Sequence, residues 1–242
     1  MTRYQKGFTL VELSIVLVII GLIISSVLVG QDLIRGAEIR STITQYENFN
    51  SAVGTFKGKY GGLPGDVLGN TDYGWTGDGD GDGVLDSTSG HAKHDSELVY
   101  FWHHLGTTGA ALISGTYTGS AVTTSAISTP TGKVGSNWGV FSSSDINYYI
   151  IGAKVANSGN NYTTEEFLVP LDAKNIDDKI DDGRPGRGIV QARGDGSSDP
   201  DAGLESDTNC ASSVSSGVPA ATSTYSTSST TAGCNLIFRM PY

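Results

Sequence analysis

Hydrophobic positions along this chain change their spacing several times, and each change predicts a different element. From Phe8 to Val29 they are nearly continuous, with Glu12 as the single charge. At about 1.5 Å per residue such a run spans roughly the 30 Å hydrocarbon core of a bilayer, so residues 8–30 read as a transmembrane helix. Beyond it Ile39, Ile43, Tyr46, Phe49, Val53 and Phe56 recur at steps of 4, 3, 3, 4 and 3, with polar side chains between them. That spacing makes one apolar stripe, and it predicts that the same helix continues through residues 31–60 as an amphipathic segment packed on a head. Lys57 and Lys59 suit the negative end of the helix dipole, and "YGGLPG" supplies the glycine and proline stop.

The remaining residues, 61–242, predict a globular head of mixed elements. From Ser96 a short amphipathic helix is expected, capped by Asp95 or Ser96, with Leu98, Phe101, Trp102 and Leu105 as its buried stripe. "NWGVFSSS" and "INYYIIGAKV" are rich in β-branched and aromatic residues around a polar turn, the pattern of an antiparallel hairpin. Pro170 suits a first helical turn, Ala173, Ile176 and Ile180 continue it, and Gly183 suits its end. "GIVQARG" and "CNLIFRM" read as further strands. The fold class is α+β, a long N-terminal helix on an antiparallel sheet with short helices and long loops.

Composition narrows the function classes. A formal net charge of -10 argues against nucleic-acid binding, which needs clustered Lys and Arg, and favours cations as partners. No G-x-S-x-G, H-E-x-x-H or phosphate-cradling glycine loop occurs, so the chain does not read as an enzyme. Arg3 and Lys6 precede the apolar run, which keeps that end cytoplasmic and places the head outside. The run is too long, and lacks the small-residue cleavage site, for an ordinary secretory signal. In an exported chain the two cysteines, Cys210 and Cys234, favour a single staple over a metal site. They would bound the loop 210–234, whose Ser/Thr/Ala composition is too poor in large apolar residues to fold alone.

Three groups carry candidate chemistry. The stretch "TGDGDGDGVLDSTS" within residues 76–90 follows half of an EF-hand-type loop. Asp78, Asp80, Asp82 and Asp86 would supply carboxylates, Val84 its backbone carbonyl, and Gly83 the sharp turn around a calcium ion. Ser89 stands where a bidentate Glu is expected, leaving Asp95 or Glu97 to supply that ligand; an acidic flexible linker is the alternative. His91, His94, His103 and His104 are close in sequence, but a helix end that favours positive charge explains His103 and His104 better than a metal does. Asp177, Asp178, Asp181 and Asp182 read as a solvated helix face beside Lys174 and Lys179, with a second cation site as the alternative. Asn161 lies in an N-x-T sequon, a candidate glycosylation position.

Glu12 is the anomaly, because a carboxylate facing lipid costs on the order of 3 kcal/mol and calls for a partner. No Lys or Arg lies in the span. Cleavage after Gly7 would create an amine on Phe8, four residues before Glu12 and on the same helix face, and a neighbouring subunit's amine would serve as well.

The residues "KGFTLVELSIVLVIIGLI" resemble the class III signal of type IV pilins and pseudopilins, over about the first thirty residues. "KYGGLPGD" is similar to a segment of many pilin-like proteins, although many of these carry a proline where this chain has Val29. The resemblance implies a leader of residues 1–7, cleavage by prepilin peptidase between Gly7 and Phe8, methylation of Phe8, and an assembly role for Glu12. It implies a lollipop-shaped subunit held in the inner membrane until an assembly machinery builds a helical homopolymer, an extracellular pilus-like filament. A periplasmic pseudopilus of a type II secretion system, or a membrane-anchored or tip-located calcium-dependent binding module, are the alternatives.

Overall fold

The computed structural model describes residues 7, 9–75, 77, 79–85, 97–106, 109–117, 129–157, 160–165, 167–193, 209–212, 214–215, 218–219 and 222–242. Helix α1 runs unbroken from Leu10 to Tyr60, through Gly21 and Gly30, and closes on Gly61 in the left-handed conformation. Ser25 and Ser26 return their hydroxyls to the carbonyls of Gly21 and Leu22, which leaves no polar hydrogen unpaired on that apolar stretch. Its buried residues are Ile39, Thr42, Tyr46, Phe49, Ala52, Val53 and Phe56, so the predicted stripe faces the head, with Thr42 and Ala52 buried beside it.

Helix α2 spans Glu97–Leu105, and helix α3 spans Pro170–Ile180 with proline in its first turn. Strands β1 (Asn137–Ser143) and β2 (Ile146–Asn157) form the expected hairpin, followed by β3 (Asn160–Glu165), β4 (Val190–Arg193) and, after two short strands, β7 (Asn235–Arg239). All pairings are antiparallel, in the order β1-β2-β7-β4, and β3 pairs with the second half of β2. Residues 160–165 have a polar sequence and no apolar run; pairing with β2 makes them a strand. The two short strands, β5 (Val214–Ser215) and β6 (Val218–Pro219), form a small ladder inside the Ser/Thr-rich loop.

The sheet's period of two sorts its side chains. Trp138, Val140, Tyr149, Ile151, Leu236 and Phe238 join the main core with the stripe of α1, while Phe141, Ile150 and Ile237 form a smaller cluster. Phe49 meets Trp102 and Trp138 with ring centroids 5.0 and 5.3 Å apart, both edge-on, and Tyr46 meets Phe238 at 5.0 Å. Tyr242 adds a polar tie, donating to the carbonyl of Asn50 at 2.7 Å. The head hangs on one aromatic seam along the second half of α1.

Candidate functional site

At its N-terminus α1 begins with Thr9 as the cap. Thr9 Oγ1 accepts the amide of Glu12 at 3.2 Å, and the Glu12 carboxylate accepts the Thr9 amide at 2.8 Å and its hydroxyl at 2.9 Å. This capping box pairs the carboxylate with donors of its own turn. Sequence reasoning looked for its partner at Phe8 and passed over the T-x-x-E signal that Thr9 and Glu12 spell. Gly7 is exposed, and Phe8 lies outside the described residues. From Leu10 to Ile34 the large apolar side chains face outward, Leu10 being 87% and Leu33 71% exposed. The helix is long and apolar enough there to cross a membrane.

The second site is the acidic loop, held from three sides. Asp66, in the turn after α1, accepts the amides of Gly81 and Gly83 at 2.8 and 3.0 Å. Glu97, buried in the first turn of α2, accepts the amide of Asp80 at 3.1 Å. Asn147 of β2, also buried, donates to the carbonyl of Gly83 and accepts the amide of Leu85, both at 2.8 Å. Within the loop Asp80 accepts from Asp82, and Asp82 from Val84. Gly79 has no room for a side chain, since a Cβ would lie 2.2 Å from the Cα of Asp66, and Gly83 has φ +90°. A loop so tightly fitted is a built element, which removes the flexible-linker alternative for residues 79–85.

One carboxylate oxygen each of Asp66, Asp80 and Asp82 lies within 4.8 Å of the other two. Burial raises the pKa of Asp66 above the usual carboxylate range, and the charges of Asp82 and Asp80 raise it further, against two amide hydrogen bonds that lower it. Among the described residues no Lys or Arg pairs with these three acids. Hard oxygen donors, unneutralised charge and a rigid frame fit a divalent cation. Of the ligands read from the sequence, Asp80, Asp82 and Val84 are placed on this loop; Asp78, Asp86 and Asp95 lie outside the described residues. Asp66 and Asn147 had no local signal, because they approach from 15 and 64 residues away.

The other candidates resolve differently. His103 and His104 lie in the last turn of α2, where the sequence places them, and are buried there: His104 Nδ1 accepts the amide of Gly65 at 2.8 Å, and His103 Nδ1 lies 2.7 Å from the carbonyl of Tyr117. His91 and His94 lie outside the described residues. Asp177 is fully buried, which corrects the solvated-face reading for that residue, whereas Asp178 is an exposed partner of Lys174. Asp177, Asp181 and Asp182 also approach within 4.8 Å. Their oxygens are engaged by Tyr225, Gly183, Ile189, Val190, Arg184 and Arg187. Cys210 and Cys234 are disulfide-bonded and buried, with Cα atoms 5.0 Å apart. Asn161 falls in β3, opposite Ala156.

In comparison with known families, residues 2–28 fit the model of the prokaryotic N-terminal methylation motif, the class III signal of type IV pilins and pseudopilins. No curated protein and no solved structure matches the chain.

Proposed function

We propose that this chain is a structural subunit of a type IV pilus-like extracellular filament. The observation that carries the reading is a methylation motif at the head of a helix whose first half is apolar and uncovered while its second half is the spine of a folded head. Prepilin peptidase cuts between Gly7 and Phe8, Phe8 is methylated, and the helices then leave the inner membrane for a common hydrophobic core. Thr9 keeps Glu12 paired while the subunit waits in lipid. On assembly the carboxylate passes to the new amine of a neighbouring Phe8 and sets the axial register. The hydroxyl-rich loop 210–234 suits the outer shell of an exposed fibre, and Asn161 is available in sequence for a glycan. A pseudopilus of a type II secretion system would use the same N-terminus.

N-terminal mass spectrometry of sheared filaments and of the membrane fraction tests this. Methylated Phe8 as the main species in long filaments is the expected result. Methylated Phe8 confined to membranes would transfer the chain to the pseudopilin reading, and intact Met1 in both fractions would overturn either.

The acidic loop is assigned to calcium, with Asp66, Asp80 and Asp82 as ligands, Asp78 and Asp86 as the remaining acids of the motif, and Val84 offering its carbonyl. The ion would supply the positive charge that the loop lacks and lock the turn after α1 to α2 and β2. A chelator is expected to speed proteolysis within residues 76–90 of the otherwise folded head, with calcium restoring resistance; cleavage kinetics indifferent to both would remove the assignment.

A further inference from the structure

Five aspartates of this chain are followed directly by glycine: Asp78, Asp80, Asp82, Asp182 and Asp195. Asp-Gly is a chemically labile step. The glycine nitrogen can attack Cγ of the preceding carboxyl and close a succinimide ring, while the amide proton and the carboxyl hydroxyl leave together as water. A second water then opens the ring at either carbonyl. One opening restores aspartate; the other leaves isoaspartate, whose main chain runs through the side chain and is one methylene longer. A side chain on the following residue hinders the attack, and glycine has none.

Three of the five steps have both residues described, and their glycines all have positive φ: +78° at Gly81, +90° at Gly83 and +70° at Gly183. A larger residue there would be strained, so these turns keep the labile pair. The same arrangement surrounds each step. The aspartate turns its carboxylate onto the amide two residues on: Asp80 accepts from Asp82 at 3.1 Å, Asp82 from Val84 at 2.7 Å and Asp182 from Arg184 at 3.0 Å. The glycine amide is taken by a distant buried acid. Asp66, 1% exposed, accepts from Gly81 and Gly83 at 2.8 and 3.0 Å, and Asp177, with no exposure, accepts from Gly183 at 3.2 Å. Electrophile and nucleophile are each held by another partner.

We propose that Asp66 and Asp177 guard these steps, holding each glycine nitrogen away from the preceding Cγ and so suppressing succinimide formation at Asp80, Asp82 and Asp182. The surroundings are fixed as well. Asp177 Oδ2 accepts the hydroxyl of Tyr225 at 2.8 Å, Arg187 holds the second oxygen of Asp182 at 2.6 Å, and Glu97 accepts the Asp80 amide at 3.1 Å. Attack requires the glycine peptide to rotate and the aspartate to swing back, which breaks a hydrogen bond on each side of the reaction. The role also accounts for two buried acids that form no ion pair with Lys or Arg among the described residues. One extra methylene at Asp80 or Asp82 would shift Gly81 or Gly83 off Asp66, so the modification, once made, would undo its own guard.

Isoaspartate formation at each step, measured on the full chain in detergent micelles with EDTA by electron-transfer fragmentation of its peptides, tests the guard. In the folded chain the three steps should convert roughly tenfold or more slowly than in the same chain unfolded in guanidinium chloride. Asp66→Ala should raise conversion at Asp80 and Asp82 and leave Asp182 unchanged, and Asp177→Ala should do the reverse, so each variant controls for the fold of the other. Asp66→Asn keeps the shape of the side chain and one accepting oxygen, and should raise only one of the two loop steps. Equal rates in the folded and unfolded chain, loop steps unmoved in both Asp66 variants, Asp182 unmoved in Asp177→Ala, or a rise alike at all three steps in Asp66→Asn would overturn the proposal.

Discussion

Between Leu10 and Ile34 helix α1 turns its large apolar side chains outward on every face, whereas between Ile39 and Phe56 it turns one stripe onto a sheet and leaves polar residues on the other side. The backbone is the same and unbroken. The difference is in who supplies the cover: the second half finds Trp102, Trp138, Tyr149 and Phe238 within its own chain, while the first half finds none among the described residues. An uncovered apolar surface of that extent is unfavourable in water and must meet lipid or other helices. One half is thus committed to folding and the other to association.

Four substitutions probe that division. The largest effect is expected from Glu12→Val, which removes the only charge between Phe8 and Val29: processed subunits should remain in the membrane and filaments should be lost. Electron microscopy and the cleaved fraction report both, and normal filament numbers would refute the assembly role. Next, Phe49→Ala should destabilise the head by about 3–5 kcal/mol by emptying the aromatic seam. Ile23→Ala in the outward half should leave head stability within about 0.5 kcal/mol, and equal effects in thermal melts would erase the distinction between the halves. The smallest effect is expected from Thr9→Ala, which removes one member of the capping box. A loss of about 1 kcal/mol, read as faster amide exchange over residues 10–13, should leave the head unchanged.

The two acid groups of the head repeat the contrast on a smaller scale. Asp66, Asp80 and Asp82 form no ion pair with Lys or Arg among the described residues and are framed by backbone amides, while Asp182 is paired with Arg187 and Asp177 is buried against Tyr225. Similar composition therefore leads to different chemistry, because the number of available cations and the depth of burial differ.

Local pattern was sufficient for several elements. The stripe of α1, the apolar face of α2, the β1-β2 hairpin, the proline start of α3 and the strand β7 all depend on residues a few positions apart, and each is found where its period places it. The polar strand β3 was not legible, since it is made by pairing with β2 and not by its own composition. Asn147 looks like any polar strand residue until β2 carries it against Gly83 and Leu85. Asp177 looks like one acid among four until Tyr225 arrives from 48 residues on.

By itself the sequence determined the long helix, its division into an apolar and an amphipathic half, the N-terminal processing motif, and the acids and glycines of the 76–90 loop. These are periodicities and spacings, properties that act within a few residues along the chain. Only the tertiary structure decided that Asp66 and Glu97 close on that loop, that His103 and His104 are core residues, and that Asp177 is buried while Asp178 is not. Burial and charge compensation depend on which distant segments meet, and that depends on how the sheet, α3 and the disulfide-bounded segment pack together.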